Sequence, residues 1–409
     1  MNPKNLSISD FTYTLPLHQI AHYPLAERDE SKLLLYYNNK ISEDVYKNLD
    51  QYIDPASLMV FNNTKVIEAR LLFQKDTGAV VEVFCLEPDH RYPDITTGMV
   101  QKGSVVWNCL IGGASKWKAG QVLEKKIRYQ NLEIYIRAKY LQKKDDQFSI
   151  ELQWSPIELS FAEIVHIAGV MPLPPYIKRT VTPEDVERYQ TIYASSNGSV
   201  AAPTAGLHFT EALLRKLEEK KILTEFITLH VGAGTFKPVK AASMELHTMH
   251  SEFIDVPLVT IERILQHYSN AITAVGTTTA RTIESLYWLG IKILLKPTIS
   301  YDELFLSQWE PYELPGKDIS VPDALGELII WLHQNKKSRL ITTTQLLIAP
   351  GYDFKIINGL ITNFHQPQST LLLLVAAFLG DDWKKIYQYA IENNFRFLSY
   401  GDGCLLQRH

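Results

Sequence analysis

The sequence predicts an α/β protein that also holds a separate unit of short antiparallel strands. Between residues 57 and 154, short runs rich in β-branched and aromatic residues alternate apolar with polar side chains, and glycine-containing turns separate them. Beyond residue 156, amphipathic helical segments alternate with apolar, strand-like segments. The residues before position 57 lack the first pattern, which leaves open that the strand-rich unit is inserted into the α/β part.

The strand-rich unit has the pattern of a small antiparallel barrel or sandwich, because no helical segment separates its strands. Alternation of apolar and polar residues indicates that each strand buries one face. The predicted strands of this unit are residues 58–61, 66–73, 80–86, 131–141 and 148–154.

The α/β part contains several elements with clear ends. Thr210 is expected to cap a helix that begins at Glu211, and Ser369 to cap a buried helix that begins at Thr370. Asn358-Gly359 between two apolar runs predicts a hairpin. Further elements are predicted as strands at residues 226–231, 271–276 and 395–400 and as a helix at residues 383–391. Residues 288–340 are compatible with a lid, an excursion or an added subdomain.

Composition excludes several classes of protein. The chain has 409 residues and a net charge of −4, with 46% hydrophobic and 21% charged residues, so it can bury a sizeable core and is not a polyelectrolyte. This length predicts two or three domains. Three widely spaced cysteines fit neither a disulfide framework nor a zinc site, and they favour a reducing compartment. We find no signal peptide or membrane helix and expect a cytoplasmic protein.

One basic stretch stands out against this nearly neutral chain. Residues 116–144 contain nine Lys or Arg and two Glu. Such a stretch is often the solvated face of strands. It is equally compatible with a surface that tracks RNA phosphates, and the sequence alone leaves both interpretations open.

Histidines are the first candidates for chemistry. His208, His230, His250 and His365 lie at the edges of predicted elements, where ligands of α/β proteins gather, and imidazole titrates near neutral pH. His247 and His250 are three residues apart, but no third ligand supports a metal site, and we predict none. The string HVGAGT, which begins at His230, lacks the third glycine of a dinucleotide site.

Several strings together resemble one family closely. They are GSVAAPTAGLHFT (198–210), TLHVGAGTFKPV (228–239), MHSE (249–252), GTTTARTIES (276–285), LITNFHQPQSTLLLLVAAFLG (360–380) and SYGD (399–402). Further matches are YPLAERDESKLL (23–34), LPPYIKR (173–179) and QTIYA (190–194). On these strings, which span nearly the whole chain, the protein resembles the S-adenosylmethionine:tRNA ribosyltransferase-isomerases of queuosine biosynthesis.

The resemblance implies a fold and a reaction. The fold is a Rossmann-like α/β domain of residues 1–64 and 157–409, atypical at 288–340, with an antiparallel barrel of residues 65–156 inserted. The reaction moves the ribosyl group of S-adenosylmethionine onto 7-aminomethyl-7-deazaguanine at the tRNA wobble position. Adenine and methionine leave, and epoxyqueuosine-tRNA is formed. S-adenosylmethionine is then a co-substrate, no cofactor is tightly bound, and we expect a monomer without a membrane partner.

The resemblance also implies where the chemistry lies. The sulfonium acidifies the adjacent 5′ hydrogens, so His208, His230 or His250 could act as base, with Glu252 as orienter or substitute. Asp402 could assist adenine only if it is held protonated.

The remaining implied contacts are with substrate. Arg281 and the turn that begins at Gly276 suit the methionine carboxylate, and Phe209, Phe364 or Tyr400 could stack on adenine or face the cation. The predicted substrate-binding set is Thr204, Gly206, Phe209, Gly232, Gly234, Thr235, Thr277, Arg281, Glu284, Asn363, His365, Thr370 and Tyr400.

The RNA side follows from the same resemblance. The target base must leave the anticodon loop to be reached, and loop bases are recognised by stacking and edge contacts. Two groups are predicted to bind RNA: Tyr176, Lys178 and Arg179 in the matching motif, and Lys125, Lys126 and Arg128 in the basic stretch.

Four positions depart from the family pattern. Asn63 and Lys65 stand where the family shows an Asp and an Arg, Glu68 stands where Pro is common, and Gln345 stands at an Asp position. Such changes alter charge and bidentate contacts. Three readings therefore stay open: the transferase, an enzyme of the same fold with another acceptor, and a silent RNA-binding relative. The intact His, Gly and Arg strings favour an enzyme.

Overall fold

The computed structural model describes residues 3–118, 120–144, 146–232, 239, 241, 243–316 and 318–408. The strands are β1 (Lys32–Tyr37), β2 (Lys40–Val45), β3 (Leu58–Asn62), β4 (Thr64–Val66), β5 (Arg70–Gln74), β6 (Val80–Pro88), β7 (Ser104–Gly112), β8 (Val122–Tyr129), β9 (Leu132–Lys144), β10 (Gln147–Ser155), β11 (Gly169–Val170), β12 (Ser196–Ser199), β13 (Leu223–Leu229), β14 (Glu252–Pro257), β15 (Ile272–Val275), β16 (Arg339–Thr344), β17 (Gly359–Asn363) and β18 (Gly403–Gln407). The helices are α1 (Ile95–Met99), α2 (Phe161–Ala168), α3 (Pro183–Arg188), α4 (Glu211–Glu219), α5 (Leu258–Gln266), α6 (Thr277–Leu295), α7 (Glu310–Glu313), α8 (Val321–Gln334), α9 (Thr370–Leu379) and α10 (Asp382–Glu392).

A mixed nine-stranded sheet organises most of the chain. Its order is β16-β14-β13-β3-β15-β17-β18-β1-β2. Four neighbouring strands at the centre, β13, β3, β15 and β17, run parallel to one another. Strands β14, β16, β18 and β2 each pair antiparallel with at least one neighbour, so the sheet is mixed towards its edges. The carboxyl ends of the four central strands therefore meet at one edge of the sheet.

Helices cover both faces of the centre of this sheet, and β3 is therefore buried on both sides. In β3, Leu58 and Val60 belong to the core that includes α6 and α8, whereas Met59 and Phe61 belong to the core that includes α4. All five residues of β3 are buried. Continuous apolar strands of this kind are typical of parallel sheets covered by helices.

The strand-rich segment forms a second, antiparallel sheet of seven strands in the order β11-β5-β6-β7-β10-β9-β8. This sheet curls into a half-barrel, since Cα atoms of β5 and β8 approach within 8 Å without ladder pairing. Inward side chains such as Val83, Ile136 and Leu152 form its own core. The prediction of a separate antiparallel unit of short strands is thus confirmed. The predicted strand at 58–61, however, belongs to the large sheet.

Residues 288–340 are part of the α/β layers rather than a separate lid. The first part of this range completes α6, and α8 packs against α6 and α5. The following strand, β16, pairs antiparallel with β14 at the edge of the large sheet. Trp288, Leu325 and Trp331 are buried in the same core as the central strands.

The predicted hairpin at Asn358-Gly359 is wrong. Strand β17 does begin at Gly359, but the preceding residues form no strand. The carboxylate of Glu284 on α6 accepts the backbone N–H groups of Lys355, Ile356 and Ile357 at 2.8, 2.9 and 3.0 Å. A buried side chain thus takes the hydrogen bonds that a partner strand would have taken.

The predicted strand at 395–400 is also wrong, and the last strand is β18 instead. Asp402 accepts the backbone N–H of Arg396 at 2.8 Å and folds the segment into a turn. Leu398 adopts a positive φ of 71°, which no regular strand contains.

Both predicted helix caps are confirmed. The hydroxyl of Thr210 accepts the backbone N–H of Leu213, and that of Ser369 accepts the backbone N–H of Leu372, each at 3.2 Å. Among the described residues, no helix is long and apolar enough to cross a membrane.

Candidate active site

A cleft with ≈690 Å³ of empty space, partly open to solvent, lies at the carboxyl ends of the central parallel strands. Val231 follows β13, Gly276 follows β15, and Asn363 ends β17, and each of these residues lines the cleft. Ligands of open α/β sheets bind at this edge because successive strands deliver loops to the same place. The sheet topology therefore singles out this cleft as the candidate active site.

The walls of the cleft are uncharged and combine apolar with polar side chains. The other lining residues are Tyr176, Ala202, Pro203, Thr204, Ala205, Thr277, Thr278, Thr362, His365, Gln366, Ser369, Leu371, Leu398 and Ser399. Four of the predicted substrate-binding residues are among the lining residues: Thr204, Thr277, Asn363 and His365. No described lining residue is an Asp, Glu, Lys or Arg.

Asn363 connects the cleft to the buried residues behind it. Its side-chain oxygen accepts the hydroxyl of Thr204 at 2.7 Å, and its amide nitrogen lies 3.4 Å from the backbone oxygen of Asp402. The same nitrogen lies 3.3 Å from Nε2 of His208. The amide orientation is thereby fixed, and Nε2 of His208 acts as the acceptor.

His208 lies behind the cleft wall, since it is not among the lining residues. Its ring stacks on Tyr46 with centroids 4.3 Å apart, and only 4% of the residue is exposed. Burial, together with the nearby Arg396 cation, lowers the pKa of His208 to about 3. The imidazole is therefore neutral at physiological pH.

His230 follows β13 directly and precedes the lining residue Val231. Its Nδ1 lies 3.1 Å from the hydroxyl of Thr64, and burial lowers its pKa to about 4. Gly198, with a φ of 135°, packs against the ring: a Cβ at this position would lie 3.1 Å from Nδ1. The glycine of the matching string thus leaves room for the imidazole.

His365 lines the cleft. Its Nε2 lies 2.7 Å from the hydroxyl of Thr362, and its backbone N–H donates to the hydroxyl of Tyr387 at 3.1 Å. Burial lowers the pKa of His365 to about 3. Three of the four predicted histidines are therefore neutral groups near one edge of the sheet, whereas His250 is exposed.

Glu252 and Arg281 form a buried ion pair. The other carboxylate oxygen of Glu252 accepts the backbone N–H of Gly232 at 3.4 Å. Neither side chain lines the cleft. Arg281 thus has a carboxylate partner already, which makes it a poor receptor for the methionine carboxylate that the sequence suggested.

Three acidic or aromatic candidates have structural partners. Asp402 accepts the backbone N–H of Lys32 at 3.1 Å and pairs with Arg396 at 3.0 Å, so its carboxylate is engaged within the fold. Glu284 is buried and anchors the backbone before β17, and its contact with substrate stays a prediction. Tyr400 donates to Asp185 at 2.9 Å.

The predicted adenine-stacking residues Phe209 and Phe364 pack against other aromatic rings inside the protein. Both are fully buried: Phe209 packs edge-on against Phe61 at 5.0 Å, and Phe364 lies 5.0 Å from Phe397. Gly206 is packed too closely against Tyr193 to carry any side chain.

Four further predicted residues have simpler placements. Thr370 begins α9 beside the lining residues Ser369 and Leu371, and Gly232 contacts Glu252. Gly234 and Thr235 lie outside the described residues.

Some of the predicted RNA-binding residues already contact other parts of the protein, and others are exposed. Arg179 forms a bidentate ion pair with Asp185 at 2.6 and 2.7 Å, so its guanidinium is a structural partner. Lys125 donates to the backbone oxygen of Ala168 at 2.9 Å. Lys178, Lys126 and Arg128 are exposed, although Lys126 pairs with Glu133 at 3.1 Å.

Sequence reasoning missed several lining residues. Thr362, Gln366, Leu398 and Ser399 all lie in or beside the matching strings, but none carries a titratable group that would single it out. Thr278 belongs to the turn that begins at Gly276, which the sequence did suggest as a binding element. No group of three or more potential metal ligands exists within the described part of the chain.

The fold and the cleft define a mixed α/β protein. Its candidate site lies at the carboxyl ends of the parallel strands and is lined by uncharged residues. A family model described as "Queuosine biosynthesis protein" matches residues 8–406. The chain belongs to this family.

Similar proteins extend over the same length. Relatives named S-adenosylmethionine:tRNA ribosyltransferase-isomerase from Halothermothrix orenii and Thermotoga maritima are both 35% identical, over 407 and 406 residues. A relative of the same name from Thermosipho melanesiensis is 36% identical over 412 residues. In each case the match covers 98% of this chain and 100% of the relative.

One solved structure is also similar. It is that of the S-adenosylmethionine tRNA ribosyltransferase from Thermotoga maritima, with 26% identity and a TM-score of 0.46. The match covers 97% of this chain and 100% of that one.

Proposed function

We propose that this protein transfers and isomerises the ribosyl group of S-adenosylmethionine onto 7-aminomethyl-7-deazaguanine at the tRNA wobble position. Adenine and methionine leave, and epoxyqueuosine-tRNA is the product. Full-length identity of 35% to relatives of that name supports the reaction. The observation that carries it is convergence: Thr204, Thr277, Asn363 and His365 come from three strings separated in sequence and line one cleft.

The domain organisation that we propose is a Rossmann-like α/β domain of residues 1–64 and 157–409 with a barrel of residues 65–156 inserted. Strands β3 and β13 are neighbours in the large sheet, and the strands of the half-barrel lie between them in sequence, although the last of these strands, β11, follows residue 156. This order of strands supports an insertion.

The electrostatics of the cleft suit a sulfonium substrate. A sulfonium carries a positive charge, and no lysine or arginine is among the described residues that line the cleft. His365 in the wall and His208 behind it are neutral at physiological pH because burial lowers both pKa values to about 3. A cationic ligand therefore meets uncharged groups, which do not repel it.

The first chemical step is removal of a 5′ hydrogen beside the sulfonium. His230 is the base that we favour among His208, His230 and His250. It precedes a lining residue and its imidazole is neutral, whereas Nε2 of His208 already accepts from Asn363 and His250 is exposed. Glu252 acts as a positioning residue, since its carboxylate pairs with Arg281. The bond between C5′ and its hydrogen breaks, and the proton moves to the imidazole of His230. The carbanion left at C5′ is stabilised by the adjacent sulfonium sulfur.

The N-terminus of α6 is the site that we propose for the methionine carboxylate. Gly276, Thr277 and Thr278 line the cleft, and the first N–H groups of a helix are free to bind an anion. Gly276 has a φ of 98°, which a side chain would strain. Tyr176, Leu371 and Leu398 offer apolar surface for adenine elsewhere in the cleft.

An adenine-release assay tests the base. Replacement of His230 by Ala should lower the rate by about 100-fold or more, a loss at the lower end of general-base contributions. His250→Ala is the matched control and should retain near-normal release. Near-wild-type rates in all of His208→Ala, His230→Ala and His250→Ala would exclude a histidine base.

A further inference from the structure

A second, smaller cavity adjoins the cleft and is bordered by two arginines. It holds ≈260 Å³ of empty space that is partly open to solvent, and Arg28, Arg188, His208 and Tyr400 are among its lining residues. Ser399 lines both this cavity and the main cleft, so the two spaces are neighbours. The mechanism above assigns no role to either arginine.

The two guanidinium groups connect neighbouring chain segments by donating to backbone carbonyl oxygens. Arg28 donates to the backbone oxygens of Gln190 and Glu187 at 2.9 Å and of Leu207 at 3.1 Å. Arg188 donates to the backbone oxygens of Leu25 and Ala26, at 2.7 and 2.9 Å. These bonds position the arginines but neutralise no charge.

Neither arginine has a carboxylate within 4.0 Å among the described residues, whereas the nearby Arg179 and Arg396 are paired with Asp185 and Asp402. The two cations therefore lie close together without a counter-ion. Burial lowers the pKa of Arg28, Arg188 lowers it further, and only the more weakly acting Glu187 and two tyrosines oppose this effect. An oxyanion in the cavity would relieve this repulsion.

The rim of the cavity also carries an aromatic surface. Tyr23 is 60% exposed and directly precedes the lining residue Pro24. One side of its ring is supported by the guanidinium carbon of Arg179 at 4.3 Å from the ring centroid. An exposed aromatic ring beside a cationic cavity is the arrangement that binds a base and a phosphate of single-stranded RNA.

We propose that Arg28 and Arg188 bind a backbone phosphate of the tRNA substrate and that Tyr23 stacks on a base beside that phosphate. This inference rests on the proposed function, which makes tRNA a substrate. It assigns the methionine carboxylate of S-adenosylmethionine to α6 instead, because a carboxylate in the arginine cavity would have no use for the exposed ring.

Equilibrium binding of an anticodon stem-loop RNA tests the subsite. Arg188→Gln should raise the dissociation constant by about tenfold and lower the slope of log Kd against log salt by about one. Tyr23→Ala should raise it by about fivefold to 100-fold, without changing that slope. Arg215→Gln, which replaces an exposed arginine on α4, is the matched control and should bind as the wild type does.

Three outcomes overturn the proposal. One is RNA affinity within twofold of wild type in both folded variants. Another is a loss of S-adenosylmethionine affinity in Arg188→Gln while RNA affinity is retained, which would assign the methionine carboxylate to this cavity. The third is a wild type that does not bind the RNA. Tyr23→Ala keeps the test decisive if Arg188→Gln fails to fold, because the side chain of Tyr23 is largely exposed.

Adenine release by the same proteins separates this inference from the proposed function. RNA binding that depends on Arg188 and Tyr23, without adenine release by the wild type, would contradict the activity and leave the subsite standing. Adenine release with normal RNA affinity in both variants would contradict the subsite and leave the activity standing.

Discussion

Neutral histidines are the residues that most distinguish the candidate site. His208 and His365 are buried, and each is held by one hydrogen bond from a neighbouring side chain that leaves the ring uncharged. The cost of charging them inside the protein is what lowers their pKa values to about 3. The same cost makes stability depend on pH.

Acid should destabilise the protein through these histidines. In the unfolded chain a histidine titrates near pH 6.5, so between about pH 6.5 and 3 the unfolded state binds more protons than the folded state. The stabilisation is complete above this range and is lost as the pH falls through it, by about 1.4 kcal/mol per pH unit for each histidine. Urea unfolding at about pH 7 and about pH 5.5 measures the loss.

His365→Gln isolates the contribution of one histidine. The variant should lose roughly 1 kcal/mol less stability than the wild type over that interval. His18→Gln, at an exposed position, is the control and should follow the wild type. If the free energy of unfolding had the same pH dependence in the wild type and in His365→Gln, His365 would not be an imidazole that burial keeps neutral.

Elements of the large sheet are held partly by side chains rather than by strand pairing. The carboxylate of Glu284 accepts three backbone N–H groups and the hydroxyl of Tyr352, the last at 2.9 Å. It thereby fixes the segment that leads into β17, the strand that ends at Asn363 in the cleft. Helix α6 contributes both this anchor and the lining residue Thr277.

Glu284→Gln should loosen this segment. A glutamine offers one acceptor oxygen and one donor nitrogen, so part of the N–H groups lose their acceptor at a cost of about 1–3 kcal/mol each. We expect faster hydrogen exchange at the amides of Lys355, Ile356 and Ile357. Amides of β9 in the half-barrel are the internal control and should exchange at the same rate in both proteins. Exchange rates at Lys355, Ile356 and Ile357 that are equal in the variant and the wild type would contradict the role of Glu284 as their acceptor.

The half-barrel surface is less basic than its sequence suggested. Lys126 and Arg137 on β8 and β9 pair with Glu133 and Glu124, at 3.1 and 3.0 Å, so two of the positive charges are compensated. Exposed pairs of this kind contribute little to stability, about 0–1 kcal/mol. Their effect here is to reduce the charge available for RNA.

Arg128→Glu tests whether this surface binds tRNA. If it does, the reversal should weaken binding severalfold at low salt and by less at high salt. Arg215→Glu on α4 serves as the control for charge alone. Unchanged affinity of Arg128→Glu across salt concentrations would exclude the half-barrel surface from RNA binding.

Elements with local signals were predictable, and elements made by distant contacts were not. Thr210 and Ser369 cap helices through hydrogen bonds within three residues, which the sequence displays directly. The segment before Gly359 has a hairpin sequence, yet Glu284, more than seventy residues away, takes its N–H groups. Asp402 likewise converts the expected strand before it into a turn.

The site was predictable to a similar extent. Residues that follow predicted strands, such as Thr277 and Asn363, do line the cleft. Phe209 and Arg281 lie in the same strings but point into the core and into an ion pair. Burial and pairing are properties of the folded chain, and adjacency in sequence cannot separate a residue in the wall from one behind it.

At the scale of the whole molecule, the large mixed sheet carries the candidate site. The central strands bring Val231, Gly276 and Asn363 to a single cleft. Strands β4 and β12 form a separate two-stranded parallel sheet. The arginine cavity lies beside the cleft and shares Ser399 with it. A substrate with a small cationic part and a large anionic part would fit this division.

The measurement that tests the proposed function most directly is adenine release by the wild-type protein with S-adenosylmethionine and two RNAs. One is tRNA that carries 7-aminomethyl-7-deazaguanine at the wobble position, and the other is the same tRNA with guanine there. We expect stoichiometric adenine release and a ribosylated nucleoside with the first RNA only. Release with the guanine-containing RNA, or none with either, would contradict the proposed function.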